Sequence, residues 1–204
     1  RDSIINDLTR LVDPAGLITS TDECRAYETD ALTAYRKMPL AVVLPKTTEE
    51  VSAVLKYCHD TGVKVVPRGA GTSLAGGAIP SEDAVVLGLS KMNRVLAVNY
   101  DDRFIRVEAG VTNLSVTAVV AENGFFYAPD PSSQLACTIG GNIANNSGGA
   151  HCLKYGVTTN NLLGVRMVLI DGSIIDLGGD YLDSAGLDLL GLVVGSEGQL
   201  GIVT

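Results

Sequence analysis

The sequence predicts an α+β fold arranged as two lobes, and three observations carry that prediction. Strand-forming runs alternate with amphipathic helical runs in the first half, an Asp-Gly hairpin signal stands in the second, and three glycine-rich segments punctuate both. Those segments are PRGAGTSLAGG (Pro67 to Gly77), TIGGNIANNSGG (Thr138 to Gly149) and GSEGQLGIVT (Gly195 to Thr204). The chain has 204 residues, 46% of them hydrophobic, enough to bury roughly 70% of its unfolded surface around a real core. With no repeat or low-complexity linker, residues 1–204 are expected to form one domain whose lobes, roughly 1–100 and 101–204, pack around a shared cleft.

The elements follow in order. In DSIINDLTRLVD, Ile4, Ile5, Leu8, Leu11 and Val12 recur at helical spacing and predict an amphipathic N-terminal helix. AVVLP (Ala41 to Pro45) reads as a buried strand. A helix capped at Thr48 follows, with Val51, Val54, Leu55 and Cys58 on one face and Gly62 as its stop. VKVVP is a second strand, so the chain enters the first glycine segment from a βαβ arrangement. AVVLGLS and FIRVEAG are strand-forming. VTNLSVTAVVAENG is helical and stops at Gly124, LLGVRMVLIDGSIIDLGG is a hairpin about Asp171-Gly172, and DLLGLVVGSEG is a short helix leading into the third segment.

Charge and composition exclude several classes. Fifteen basic against 23 acidic residues give a net charge of -8, which opposes non-specific attraction to nucleic acid or anionic membrane. The longest apolar stretches fall well short of the ~20 residues that span a bilayer, and the N-terminus lacks a basic-then-apolar leader, so a cytoplasmic chain without direct membrane insertion is expected. Cys24, Cys58, Cys137 and Cys152 form no CxxC pair and are expected as reduced thiols. The two histidines, His59 and His151, have no ligand set around them, and no metal site is expected.

Glycine lets backbone N–H groups approach a ligand without Cβ interference, so three glycine segments together suit a long polyanionic nucleotide. The first segment follows a strand, as a Rossmann fingerprint does, but Gly76, Gly77 and Pro80 stand where the helix of that motif must run. A Walker loop needs Gly-Lys followed by Ser or Thr, whereas Gly71 is followed directly by Thr72 and Ser73.

Taken together, PRGAGTS, PDPSSQLACTIGGNIANNSGG, HCLKYG and GSEGQLGIVT resemble the PCMH-type FAD-binding domain of the vanillyl-alcohol oxidase flavoproteins over nearly the whole chain. GGAHCLKYG is most similar to the FAD subunits of bacterial glycolate oxidases and their D-lactate dehydrogenase relatives. The resemblance implies that Pro67, Arg68, Gly69, Ala70, Gly71, Thr72 and Ser73 wrap the pyrophosphate. It implies that Ser132, Ser133, Thr138, Gly140 and Gly141 line the diphosphate and flavin side, with Asn145, Asn146, Ser147 and Gly148 along the ribityl chain. Glu197, Gly198, Gly201, Ile202 and Val203 would close over the adenosine end, the last two through their backbones. Ser132 and Ser133 are equally ordinary turn residues, and Ile202 and Val203 equally core residues.

Two departures refine the resemblance. Thr72 stands where some relatives carry a flavin-linked histidine, and Cys137 is one residue displaced from a second linkage position, so FAD is expected to be non-covalent. The chain stops just after the third segment, where relatives continue into a cap or substrate domain, so catalytic residues are expected beyond Thr204. Arg36 and Lys37, the one adjacent basic pair able to reach a carboxylate, read as solvated surface. The implied activity is oxidation of a small 2-hydroxyacid, glycolate or D-lactate, to a 2-oxo acid, with hydride passing to FAD. Iron–sulfur and second flavin subunits are the implied electron-transfer partners. A binding module inactive by itself, and a same-fold enzyme such as a sugar-nucleotide reductase, stay open. Gly71→Val is expected to block cofactor approach at the pyrophosphate loop and so to lower FAD affinity.

Overall fold

The computed structural model describes residues 1–182 and 186–204, and its core begins at the βαβ arrangement. Strand β1 (Leu17–Ile18) pairs antiparallel with β2 (Ala41–Val43), which with β3 (Lys64–Arg68) flanks β4 (Ala84–Gly88) in parallel, giving the order β1-β2-β4-β3. Thus β4 inserts between the two strands of the βαβ unit. Covered on both sides, it is buried along its whole length, as a continuous apolar parallel strand must be.

Three helices belong to this half: α1 (Asp2–Leu8), α2 (Thr21–Cys24) and α3 (Thr48–Thr61). Helix α3 buries Val51, Val54, Leu55 and Cys58, and ends on Gly62, whose φ of 70° is the left-handed stop glycine adopts freely. Its cap is Thr47 rather than Thr48: the Thr47 hydroxyl accepts from Glu50 N–H at 3.1 Å, while the Thr48 hydroxyl donates to that of Thr204 at 3.0 Å. Helix α1 is shorter than the pattern suggests, yet Leu11 and Val12 beyond it still pack on the core.

Strands β5 (Val95–Asn99) and β6 (Phe104–Val107) form a separate antiparallel hairpin that straddles residue 100. The sequence pattern reveals β6 but not β5, whose Val95 and Leu96 lie exposed and show no alternation. Helix α4 (Asn113–Val120) follows and the chain turns at Gly124, φ 78°.

The second glycine segment is not a loop. It holds helix α5 (Ile139–Asn145), capped by Thr138 and closed by Asn146 at φ 48°. Glycine lowers helix propensity by about 1 kcal/mol relative to alanine, but packing overrides it here. Gly140 N–H donates to Ala109 O at 2.8 Å, and a Cβ on Gly140 would stand 2.8 Å from the Ala109 Cβ. After α6 (Cys152–Tyr155), β7 (Gly164–Val168) and β8 (Ile174–Gly178) form the expected hairpin. Helix α7 (Leu189–Val193) leads to β9 (Ile202–Val203), which pairs on the other side of β7.

The four-stranded and three-stranded sheets share one core. Val168 and Ile202 of the second cluster with Val43, Val85 and Leu87 of the first, Leu8 and α3. A second cluster joins Val111 and Val116 to Ile139, Ile143 and Val165. Among the described residues, no helix is long and apolar enough to cross a membrane.

Candidate functional site

The first glycine segment leaves the sheet at the C-terminal end of β3, the end where parallel α/β sheets bind ligands. The other two converge on it. A Cβ on Gly69 would fall 2.6 Å from Thr138 Oγ1, and one on Gly198 2.7 Å from Pro67 Cγ, so these close approaches exist because side chains are missing there. The third segment is tied to α5 by Gly195 N–H to Ile143 O and Glu197 N–H to Ala144 O, both 2.9 Å.

The three segments wall a cleft with about 1120 Å³ of empty space, part of it continuous with solvent. Pro67 to Ser73, Ser133, Thr138, Gly140, Gly141, Asn145, Ser147, Glu197, Gly198, Gly201, Ile202 and Val203 all line it. Three expected site residues do not. Ser132 is exposed on the preceding turn, because the chain folds back there with Cys137 N–H on Ser133 O. Asn146 is the left-handed end of α5, and its side-chain oxygen accepts from Thr159 N–H at 3.1 Å. Gly148 is packed against Cys152 and Val157, which a Cβ would strike. Asn142, Cys137 and Leu89 line the cleft without having been expected. Asn142 is 2% exposed, bridging Asn113 (3.0 Å) and the Cys137 sulfur (3.3 Å), an arrangement with no linear sequence signal.

The donors are unevenly distributed. The N–H groups of Gly69, Ala70, Gly71, Thr72 and Ser73 meet no acceptor among the described residues. Those of α5 are committed within the protein: Ile139 to Val111 O, Gly140 to Ala109 O, Gly141 to Thr138 Oγ1. The open backbone donors therefore lie in the first segment, while α5 contributes shape and the residues flanking it, Ser133, Thr138 and Ser147, contribute hydroxyls.

Charge is nearly absent from the walls, where Arg68 and Glu197 are the ionisable basic and acidic side chains. Arg68 is only 9% exposed; its Nη1 donates to Thr29 O at 2.7 Å and its guanidinium lies 5.5 Å from the Tyr27 ring centre. Desolvation pulls its pKa down, opposed by Tyr27 and Asp30. Gly71 needs its φ of 71°, and a Cβ there would collide with the Arg68 guanidinium, so a side chain at 71 would strike the loop's own support rather than project into the cleft. Arg36 and Lys37 pair with Glu28 and Glu82 at the surface and take no part in the walls.

Beside the cleft, segments 128–131 and 148–152 are joined by a pair the sequence does not reveal. His151 Nδ1 and Asp130 Oδ2 lie 2.5 Å apart, and His151 N–H donates to the other oxygen at 3.3 Å. Partial desolvation pushes the Asp130 pKa up, but the His151 contacts outweigh it and leave the carboxyl below its ordinary value.

Residues 39–178 match the FAD binding domain family. The chain belongs to that family. FAD is its cofactor, and the cleft fits the part: a run of free N–H donors, glycines at the points of closest approach and hydroxyls from a second segment. This FAD-binding domain is 49% identical over 204 residues to the glycolate oxidase subunit GlcD of Escherichia coli K12, covering 100% of the chain and 41% of that protein. It is 47% identical over 179 residues to GlcD of Bacillus subtilis (87% and 38% covered) and 40% identical over 204 residues to the D-lactate dehydrogenase of Archaeoglobus fulgidus (99% and 45%). The chain thus spans less than half the length of these curated relatives. Among solved structures, it matches an alkyldihydroxyacetonephosphate synthase with a TM-score of 0.85 at 24% identity, covering 100% of this chain and 42% of that one. It matches a glucose dehydrogenase, a variant of Phl p 4, at 0.82 and 19%, covering 98% and 42%. At those identities the likeness is one of fold.

Proposed function

We propose that this chain is the flavin-holding part of an FAD-dependent dehydrogenase that oxidises a small 2-hydroxyacid, glycolate first and D-lactate second, to the 2-oxo acid. The observation that carries the reading is the 49% identity to a glycolate oxidase subunit over the full chain, cleft segments included. When bound, FAD supplies the hydride acceptor for oxidation of the CH–OH carbon.

The chain's residues bind and orient. The N–H groups of Gly69 to Ser73 hold the phosphates, and the hydroxyls of Thr72, Ser133, Thr138 and Ser147 meet the polar linker between flavin and adenine. Thr204 N–H bonds Arg166 O, so in the antiparallel ladder the backbone N–H and C=O of Val203 point away from β7, free to pair with the adenine edge. Attachment is non-covalent: position 72 offers only a hydroxyl, and the Cys137 sulfur is buried and held by Asn142. No base for the substrate hydroxyl is assigned to this chain. Electrons pass onward to partner subunits, an iron–sulfur protein and a second flavin subunit, in a cytoplasmic assembly that meets the membrane only through them.

The test is a visible-absorbance titration of the full-length protein with FAD, acid precipitation, and anaerobic addition of glycolate or D-lactate. Saturable binding, flavin released into the supernatant and bleaching by glycolate are expected. Flavin retained in the precipitate refutes non-covalent binding, and bound flavin that neither acid reduces refutes the substrate assignment.

A further inference from the structure

Segment 27–31, outside every glycine-rich motif, is stitched along the length of the phosphate-binding loop. Ala31 N–H donates to Gly71 O at 2.9 Å. Asp30, 4% exposed, accepts from Leu32 N–H with one carboxylate oxygen (2.9 Å) and from Gly76 N–H with the other (3.0 Å). Arg68 Nη1 reaches back to Thr29 O at 2.7 Å and across to Ala78 O at 3.5 Å, with the Tyr27 ring beside its guanidinium. The loop is thus held at 71 by the Ala31 backbone and at 76 and 78 by two oppositely charged, buried groups, Asp30 and Arg68, while its N–H groups at 69–73 meet no acceptor among the described residues.

We infer that Asp30 and Arg68 form a buried brace, steadied by Tyr27, that pre-shapes the 69–78 loop for the diphosphate without touching it. The inference rests on the FAD reading of this cleft and adds two positioning residues to it. Among the described residues, Arg68 is the one basic side chain in the walls, and the obvious role for it is direct phosphate neutralisation. Its burial and its bonds to Thr29 and Ala78 carbonyls assign it to the loop instead. A loop already in its bound shape pays no ordering cost on association, so loosening it weakens binding even though every donor is still present.

The experiment measures FAD dissociation constants of full-length wild type, Asp30→Asn, Arg68→Lys and Arg68→Met across ionic strengths, with circular dichroism as the folding control. Asp30→Asn keeps the shape but loses a charged acceptor. Arg68→Lys keeps the charge but loses the planar fork and the ring contact. All three variants are expected to bind about tenfold or more weakly, with lysine no better than methionine and a salt dependence equal to wild type. Near-wild-type binding by Arg68→Lys alongside failure of Arg68→Met, with a flattened salt dependence, would show direct phosphate contact and overturn the brace. So would folded variants with unchanged affinity. If Asp30→Asn does not fold, Tyr27→Leu carries the same expectation. A wild-type protein that does not bind FAD removes the cofactor reading and the brace with it, whereas wild-type binding with unaffected variants removes the brace alone.

Discussion

At Gly71 two constraints act on one atom. The backbone adopts φ 71°, and the hydrogen that replaces a side chain faces the Arg68 guanidinium. Gly71→Val is therefore expected to lose FAD affinity by distorting the loop and displacing Arg68, not by filling the cleft. The distinguishing measurement is the thermal midpoint of the apoprotein, which falls if the strain is internal and stays put if valine merely obstructs the ligand. The cysteines give a second expectation of this kind. Cys24, Cys58 and Cys137 are buried and Cys152 is partly exposed. Burial pushes the Cys58 thiol up to about 11. Because the thiolate is the reactive form, a disulfide reagent at neutral pH is expected to titrate Cys152 in the native protein and the other three only on unfolding. Rapid native-state labelling of Cys58, located by peptide mapping, would contradict this burial.

Among the elements, α3 and β4 carry the core. Leu87 is fully buried at the centre of the four-stranded sheet, packed between the layers that support the cleft. Leu87→Ala is expected to cost about 2–5 kcal/mol in denaturant unfolding, from lost burial and the cavity left behind. Thr47→Ala removes the α3 cap and is expected to cost about 1 kcal/mol, while Thr48→Ala leaves that cap intact. Equal losses at the two positions would move the cap back to Thr48. The strands β2, β3, β4, β7 and β8 and helices α3 and α4 are legible in the sequence because burial on one face or both imposes a period on their residues. Helix α5 is not: Gly140 and Gly141 carry a loop's composition, and only the Ala109 backbone and the Thr138 cap make a helix of them.

For the molecule as a whole, stability is expected to be dome-shaped in pH. Lys64 and Ser81 hold the Asp83 carboxyl at about 2, Arg166 lowers Asp176, and Arg94 outweighs desolvation to lower Glu108. A carboxylate depressed by folding stabilises above its unfolded value near 4, and that stabilisation is lost as pH falls through the folded value. At the other limb, burial raises Cys58 to about 11 and Tyr127 to about 12. The unfolded chain releases those protons first, and stability falls as pH rises above about 9. Thermal midpoints across this range are expected to plateau between roughly pH 5 and 8. Midpoints that climb steadily toward pH 10 would contradict the alkaline limb. Since Val168 and Ile202 share a core with Val43 and Leu87, the four-stranded and three-stranded sheets are expected to melt in one transition.

The α+β class, the order of the buried strands and helices, and the three glycine segments that wall the cleft are all written in the amino-acid order, because periodicity and missing side chains are local properties of a chain. Which donors remain free is settled only once the chain has folded. Among the described residues, the N–H groups of residues 69–73 stay open while those at the start of α5 are taken by Val111, Ala109 and Thr138. Folding likewise turns Arg68 to the support of its own loop, brings Asp30 to it from a segment with no motif, and sets His151 against Asp130. Each of these is a pairing between residues 10 or more positions apart. A hydrogen bond has two ends, and composition names only one of them.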